Sequence, residues 1–206
     1  MKKKLEIIGL LLSWFAIITQ FILIIENRVT SVPETVIRFF SFFTILTNLL
    51  VAIYFTVHYF GLKNKLFSLF IKPTTLTAIT VFILIVGSVY QIALRHIWQP
   101  TGLQRIVDEL LHTIIPLYFL MYWFLNSKKE GLNIKRLLSW LLYPLLYSLF
   151  IFIRGYFSNY YPYPFLNIEE IGMAQTVLNM SIILAVTVLF MLTLTLIGRK
   201  RINNLK

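Results

Sequence analysis

Six continuous apolar runs, at approximately 5–25, 36–60, 74–94, 106–125, 137–153 and 171–197, decide what this chain can fold into. Each is about as long as the ~20-residue helix that crosses a hydrocarbon core ~30 Å thick. Lipid offers the backbone no hydrogen-bond partner, so a spanning segment must close its own bonds as a helix or join a closed barrel. Barrel strands alternate apolar and polar residues, and these runs do not. The expected fold is therefore all-α: a polytopic membrane protein, a six-transmembrane-helix bundle forming one domain over residues 1–206. Only 13% of residues are charged, against about 25% in soluble domains, which leaves no room for a water-facing domain.

The first run follows Lys2-Lys3-Lys4, as a signal peptide would begin. It is longer than a signal peptide's apolar region and no small-x-small cleavage site follows, so a retained helix is expected. The chain has no cysteine, which excludes disulfides, thiolate nucleophiles and zinc–thiolate sites. No metal and no other cofactor is expected.

The net charge of +11 has a strongly uneven distribution. Of 19 Lys and Arg, 14 fall at the two termini and in the second and fourth connections of a six-span chain. Only Arg28, Arg38, Arg95, Arg105 and Arg154 fall on the other side. Short cytoplasmic loops carry the Lys and Arg excess, so both termini are expected in the cytoplasm. Six acids, Glu26, Glu34, Asp108, Glu109, Glu169 and Glu170, lie on the outer side. The basic excess thus reads as a topology signal and a contact with anionic membrane lipid, with no nucleic-acid partner. The outer loops are rich in interface residues: Trp98 in the third, and the run from Tyr156 to Phe165 in the fifth. Pro162 and Pro164 stiffen the fifth loop, either as a simple anchor or as a cap over a lipid-facing entrance.

Polar side chains inside the apolar runs are few. Ser41, Thr44, Thr47 and Asn48 fall three and four apart, one face of a helix. Their ordinary role is packing between membrane helices. Depth adds a second meaning. Thr44 lies about eight residues, or ~12 Å, inside the outer end of the second run. His112 in the fourth run and Asn179 in the sixth begin from the same side and reach a similar level, with Gln20 and Gln91 slightly above. His112 is the one histidine within a span, since His58 lies near the inner end of the second run and His96 in an outer loop.

A threonine hydroxyl becomes a nucleophile when a base takes its proton, and His112 is that base if the two are in reach. Asp108 and Glu109 precede His112 by four and three residues and can lie over it. A carboxylate there fixes the tautomer and stabilises the imidazolium, although acids also favour a helix N-terminus for its dipole alone. Pro116 blocks the helical bond to the carbonyl of residue 112 and is expected to kink the helix. Asn48, one turn from Thr44, or Asn179 across the bundle is the candidate oxyanion donor. A Thr–His pair at that depth meets esters that lie below the headgroups, which points to lipid esters.

Phe42-Phe43-Thr44, His112-Thr113-Ile114-Ile115-Pro116 and Tyr163-Pro164-Phe165-Leu166 with Gly172 resemble, in order and spacing, the landmarks of the androgen-induced-protein family. That family contains multi-span membrane threonine hydrolases that cleave fatty acid esters of hydroxy fatty acids with one intramembrane Thr and one intramembrane His. The resemblance implies Thr44 as nucleophile, His112 as base, six helices and cytoplasmic termini. Thr47 is a second candidate hydroxyl. The short, basic chain suggests a bacterial homologue in the cytoplasmic membrane, its active layer toward the outer leaflet.

An alternative from another class is a transporter or binding protein for a small amphiphilic anion. It would use the same layer, with Arg38, Arg95 and Arg154 drawing in a carboxylate or headgroup. In a hydrolase the same three arginines would hold a substrate carboxylate, and in either case snorkelling to the interface is their ordinary role. Transporters of this kind carry inverted repeats or broken helices, which the sequence lacks. A haem held by two histidines is the weakest reading, because only His112 is at a suitable depth.

Overall fold

The computed structural model describes residues 1–204 and is all-α. Lys206, counted above among the basic C-terminal residues, lies outside the described residues. Six helices are long and apolar enough to cross a membrane: α1 (Lys2–Glu26), α3 (Phe43–Phe60), α4 (Pro73–Leu94), α5 (Gly102–Asn126), α6 (Ile134–Ser158) and α7 (Ile168–Asn204). A shorter helix, α2 (Val32–Ser41), lies between α1 and α3. The chain is an integral membrane protein built as an all-α bundle.

The spans match the apolar runs, and the differences have local causes. Most helices extend past their apolar windows, because the terminal turns carry polar residues that hydropathy does not mark. Pro144 does not shorten α6: it sits in the first turn after a 3₁₀ segment at Ser139–Leu141, where no intrahelical N–H is needed. In α7, Gly172 has φ 76° and ψ 160°, so the chain makes one turn, breaks, and then starts the long helix. Only glycine adopts that conformation without strain.

The second run departs most from expectation. Residues 36–60 do not form one helix, which corrects the expectation of unbroken helices used above against a transporter: the chain breaks at Phe42, which is extended (φ −80°, ψ 123°), as it does again at Gly172. Two tyrosines distant in sequence take up the backbone groups freed by the break. Tyr147 of α6 donates to the carbonyl of Ser41 at 2.9 Å, and the hydroxyl of Tyr163 accepts from the amide of Thr44 at 3.2 Å. The expected four-residue stripe is therefore cut. Ser41 ends α2 and donates back to the carbonyl of Ile37, while Thr44 opens α3.

Helix α4 lies at the centre, with two-thirds of its apolar window buried against 17% for α6. Its threonines turn inward, and Trp123 of α5 donates to Thr77 at 3.0 Å. Phe55, Phe82, Phe119, Tyr122 and Trp123 fill the core between α3, α4 and α5. Helix α1 is tied on by Tyr118, which donates to the carbonyl of Leu5 at 2.6 Å, and by Tyr122, which donates to the buried carboxylate of Glu6 at 2.9 Å. Helices α6 and α7 stand at the edge, and the loop between them folds back over the end of α3.

Candidate active site

Thr44 is the second residue of α3, at the helix N-terminus created by the break at Phe42. First-turn amides have no helical acceptor, and the helix dipole adds partial positive charge there. The Thr44 hydroxyl is buried, 3.4 Å from Nε2 of His112 and 3.2 Å from the hydroxyl of Tyr163.

His112 projects from an irregular turn. Residues Leu110–Ile114 of α5 are π-helical, so the N–H of Ile115 reaches back to the carbonyl of Leu110. Leu111 is then left facing Pro116, which has no N–H to give. Asn48 of α3 fills the gap: its side-chain amide donates to the carbonyl of Leu111 at 3.2 Å and to that of Thr44 at 2.9 Å. Both amide hydrogens are committed to main-chain carbonyls, so Asn48 is not free to donate to an oxyanion. It ties the helix of Thr44 to the helix of His112.

The other face of the imidazole is equally constrained. Nδ1 lies 2.9 Å from the main-chain carbonyl of Asp108 and 3.2 Å from its carboxylate. Two acceptors there hold the proton on Nδ1 and leave the lone pair of Nε2 toward Thr44, the arrangement a general base requires. Tyr90 of α4 stacks on the imidazole with ring centres 4.2 Å apart at 13°, and its hydroxyl donates to the carboxylate of Asp108. Asp108 thus accepts from both His112 and Tyr90, as an orienting acid does.

Tyr163 is the site's other unexpected member. It lies in the fifth loop between two prolines and stacks on Phe165 with centroids 5.1 Å apart. Burial pushes its phenol above the ordinary range, so the hydroxyl keeps its proton as a donor. It accepts from the Thr44 amide, which polarises its own O–H as a donor. The sequence shows Tyr90 only as an aromatic, and Tyr163 as an interface aromatic and a landmark of the resemblance, with no site role for either. Tyr90 belongs to the outer half of a span, and Tyr163 stands in the Pro162-Tyr163-Pro164 run that stiffens the loop. The fifth loop is a cap over the site.

The remaining candidates sit elsewhere. Asn179 donates to the carbonyl of Phe165 at 3.0 Å and accepts from Gln175, so it anchors the fifth loop and does not face Thr44. Thr47 pairs with the hydroxyl of Tyr143 at 3.1 Å, away from the histidine. The three arginines are all paired with carboxylates. Glu34 accepts from Arg38 at 2.8 Å and from Arg154 at 2.6 Å, and both guanidiniums flank the ring of Tyr160. The Arg38 bond, aided by Arg154, holds the Glu34 carboxyl below its usual range. Arg95 pairs with Glu109 and with Gln91, on the side of α5 that carries Thr113. These pairs lock loop and helix ends together. Among the described residues no group of three or more His, Asp or Glu could hold a metal ion.

Two cavities meet at Thr44. One, of about 290 Å³, runs between α4, α6 and α7 and is lined mainly by apolar side chains, with Ser148, Ser181 and Thr187 among them. The other, of about 360 Å³, lies between α1, α3 and α5 and includes Gln20, Gln104, Asp108 and His112. Thr44 and Tyr163 border both. Comparison of the chain with protein-family models, curated proteins and solved structures finds no match.

Proposed function

We propose that this protein is an intramembrane hydrolase of lipid esters, with Thr44 as nucleophile, His112 as general base and acid, and Asp108 as the acid that orients the imidazole. One observation carries the reading: the Thr44 hydroxyl lies 3.4 Å from Nε2 of a histidine whose Nδ1 is held by Asp108. A nucleophile, a base and an orienting acid in series are the parts that acyl transfer requires. At 3.4 Å the pair needs only a small closing movement for proton transfer.

The chemistry follows from the geometry. Oγ of Thr44 attacks the ester carbonyl carbon as Nε2 takes the hydroxyl proton. The oxyanion forms beside the N-terminus of α3, where the Tyr163 hydroxyl donates to it; one such donor is worth about 3 kcal/mol. The carbon–oxygen bond to the alcohol then breaks, and His112 returns its proton to the departing alkoxide. A water activated by the same histidine cleaves the acyl-threonine and restores the hydroxyl. Asn48 keeps the two reacting helices in register throughout. The cavities on both sides of Thr44 suit long apolar substrates, which supports lipid esters over soluble ones.

The test is covalent labelling of membranes by a fluorophosphonate probe, run beside ester hydrolysis. Wild type should be labelled and should turn over lipid esters. Thr44→Ala and His112→Ala should lose both while folding normally. Undiminished turnover in Thr44→Ala would remove the nucleophile assignment and favour a binding or transport role for the cavities.

A further inference from the structure

The two cavities at Thr44 differ in outlet and in their relation to His112. We infer that the apolar cavity between α4, α6 and α7 receives the acyl chain of the substrate, and that the cavity holding His112 receives the alcohol. The inference rests on the hydrolase reading above and specifies how its substrate lies.

The first argument is stereochemical. At the tetrahedral carbon, Oγ of Thr44, the oxyanion, the acyl chain and the alkoxy oxygen occupy four directions. The alkoxy oxygen must be within hydrogen-bond reach of Nε2, because His112 has to protonate it as it leaves. His112 borders only the α1–α3–α5 cavity, so the alcohol lies there. The oxyanion takes the side of Tyr163, which stands on the partition between the cavities. The remaining direction is the α4–α6–α7 cavity, and the acyl chain fills it.

The outlets agree with that placement. Leu145 of α6 and Val177 of α7 line the acyl cavity and are each about half exposed (51%), so it opens sideways through apolar side chains into lipid. The alcohol cavity opens beside Ile97 and Trp98 in the third loop, at the level where aromatic side chains meet the headgroups. The cavity holds Gln20 and Gln104, bonded to each other at 2.8 Å, and Asp108 in a lining that is otherwise mainly apolar. It gives hydrolytic water a route to Nε2 once the alcohol has gone. An acyl chain thus enters from the bilayer, and the alcohol leaves toward the interface.

The test uses full-length protein in detergent or vesicles and two ester series. One varies acyl length with a constant alcohol; the other varies alcohol length with a constant butyryl group. Leu184→Trp narrows the acyl cavity and Ile24→Trp the alcohol cavity. Leu184→Trp should lower kcat/KM for long acyl chains by roughly tenfold or more relative to short ones, with alcohol preference unchanged. Ile24→Trp should do the converse. Exchanged preferences, or equal losses across both series, would overturn the assignment. Photocrosslinking wild type with a fatty acid carrying a terminal diazirine separates the two levels of the argument. Adducts on Phe82 and Val86, which line the acyl cavity and are buried from lipid, support it even if no ester is hydrolysed, in which case only the hydrolase reading fails. Adducts around Ile24 and Phe39, or none, would overturn the cavity assignment itself.

Discussion

At the scale of single residues, Asp108 offers the sharpest test of the constellation. Its carboxylate and its main-chain carbonyl both face Nδ1 of His112. Asp108→Asn leaves the carbonyl at 2.9 Å, so the imidazole keeps its tautomer. In the proposed mechanism the variant loses the negative charge that stabilises the imidazolium formed during attack. A hydrogen bond to a charged group is worth about 1.5–3 kcal/mol, so kcat should fall roughly 10–100-fold with KM little changed. An unaltered kcat would show that the carboxylate serves only the fold. Thr44, His112 and Asp108 were legible in the sequence because depth and an i, i+4 spacing are local properties. Tyr90 and Tyr163 were not, since an aromatic in an apolar run or interface loop looks the same whether it packs or donates a hydrogen bond. Asn48 was found, but with the wrong task. Its amide goes to carbonyls, one of them freed by a π turn that hydrophobic periodicity does not register.

At the scale of helices, the site depends on how closely α4 passes the π turn of α5. A Cβ built on Gly87 would lie 3.1 Å from the carbonyl oxygen of His112 and 3.4 Å from Cβ of Pro116. No larger residue fits there without moving the segment that carries the base. Gly87→Val should therefore push His112 away from Thr44. Overpacking of this kind costs about 1–3 kcal/mol, which an intact bundle can survive. A displacement of ~1 Å at a catalytic group can cost about 100-fold in rate. The expected result is a folded protein, by thermal unfolding in detergent, with kcat reduced at least tenfold. Wild-type kcat in a well-folded Gly87→Val variant would show that the close approach does not set the Thr44–His112 distance. The break at Phe42 belongs to the same scale and was not legible at all. Phe42 lies in an apolar run that continues smoothly on both sides, and the groups that satisfy the broken ends come from Tyr147 and Tyr163, more than 100 residues away. Yet in the proposed mechanism the break matters most, because it turns Thr44 from a mid-helix residue into one at a helix N-terminus.

At the scale of the molecule, six spans could be read directly from hydropathy, because lipid imposes one requirement on every residue of a spanning segment. Their order in the bundle could not, since α4 at the centre and α6 at the edge are similarly apolar. Orientation rests on the charge asymmetry, and it fixes which leaflet supplies the substrate. If both termini lie in the cytoplasm, as the charge asymmetry predicts, the third and fifth loops face outward and the cavity holding His112 opens toward the outer headgroups. The chain contains no cysteine, so one introduced thiol reports unambiguously. Tyr156→Cys in the outer end of α6, where the native side chain is 77% exposed, should react with a membrane-impermeant maleimide in intact cells. Lys129→Cys in the basic fourth connection should react only after the membrane is opened. The reverse pattern would place Thr44 in the inner leaflet, and substrate would then have to come from cytoplasmic lipid. Both single-cysteine proteins carry Thr44 and His112 unchanged, so activity measured on the same samples shows whether the labelled molecules are the folded ones. The leaflet from which an ester is hydrolysed, in vesicles of known sidedness, should follow the labelling: whichever side exposes Tyr156→Cys is the side from which substrate is consumed.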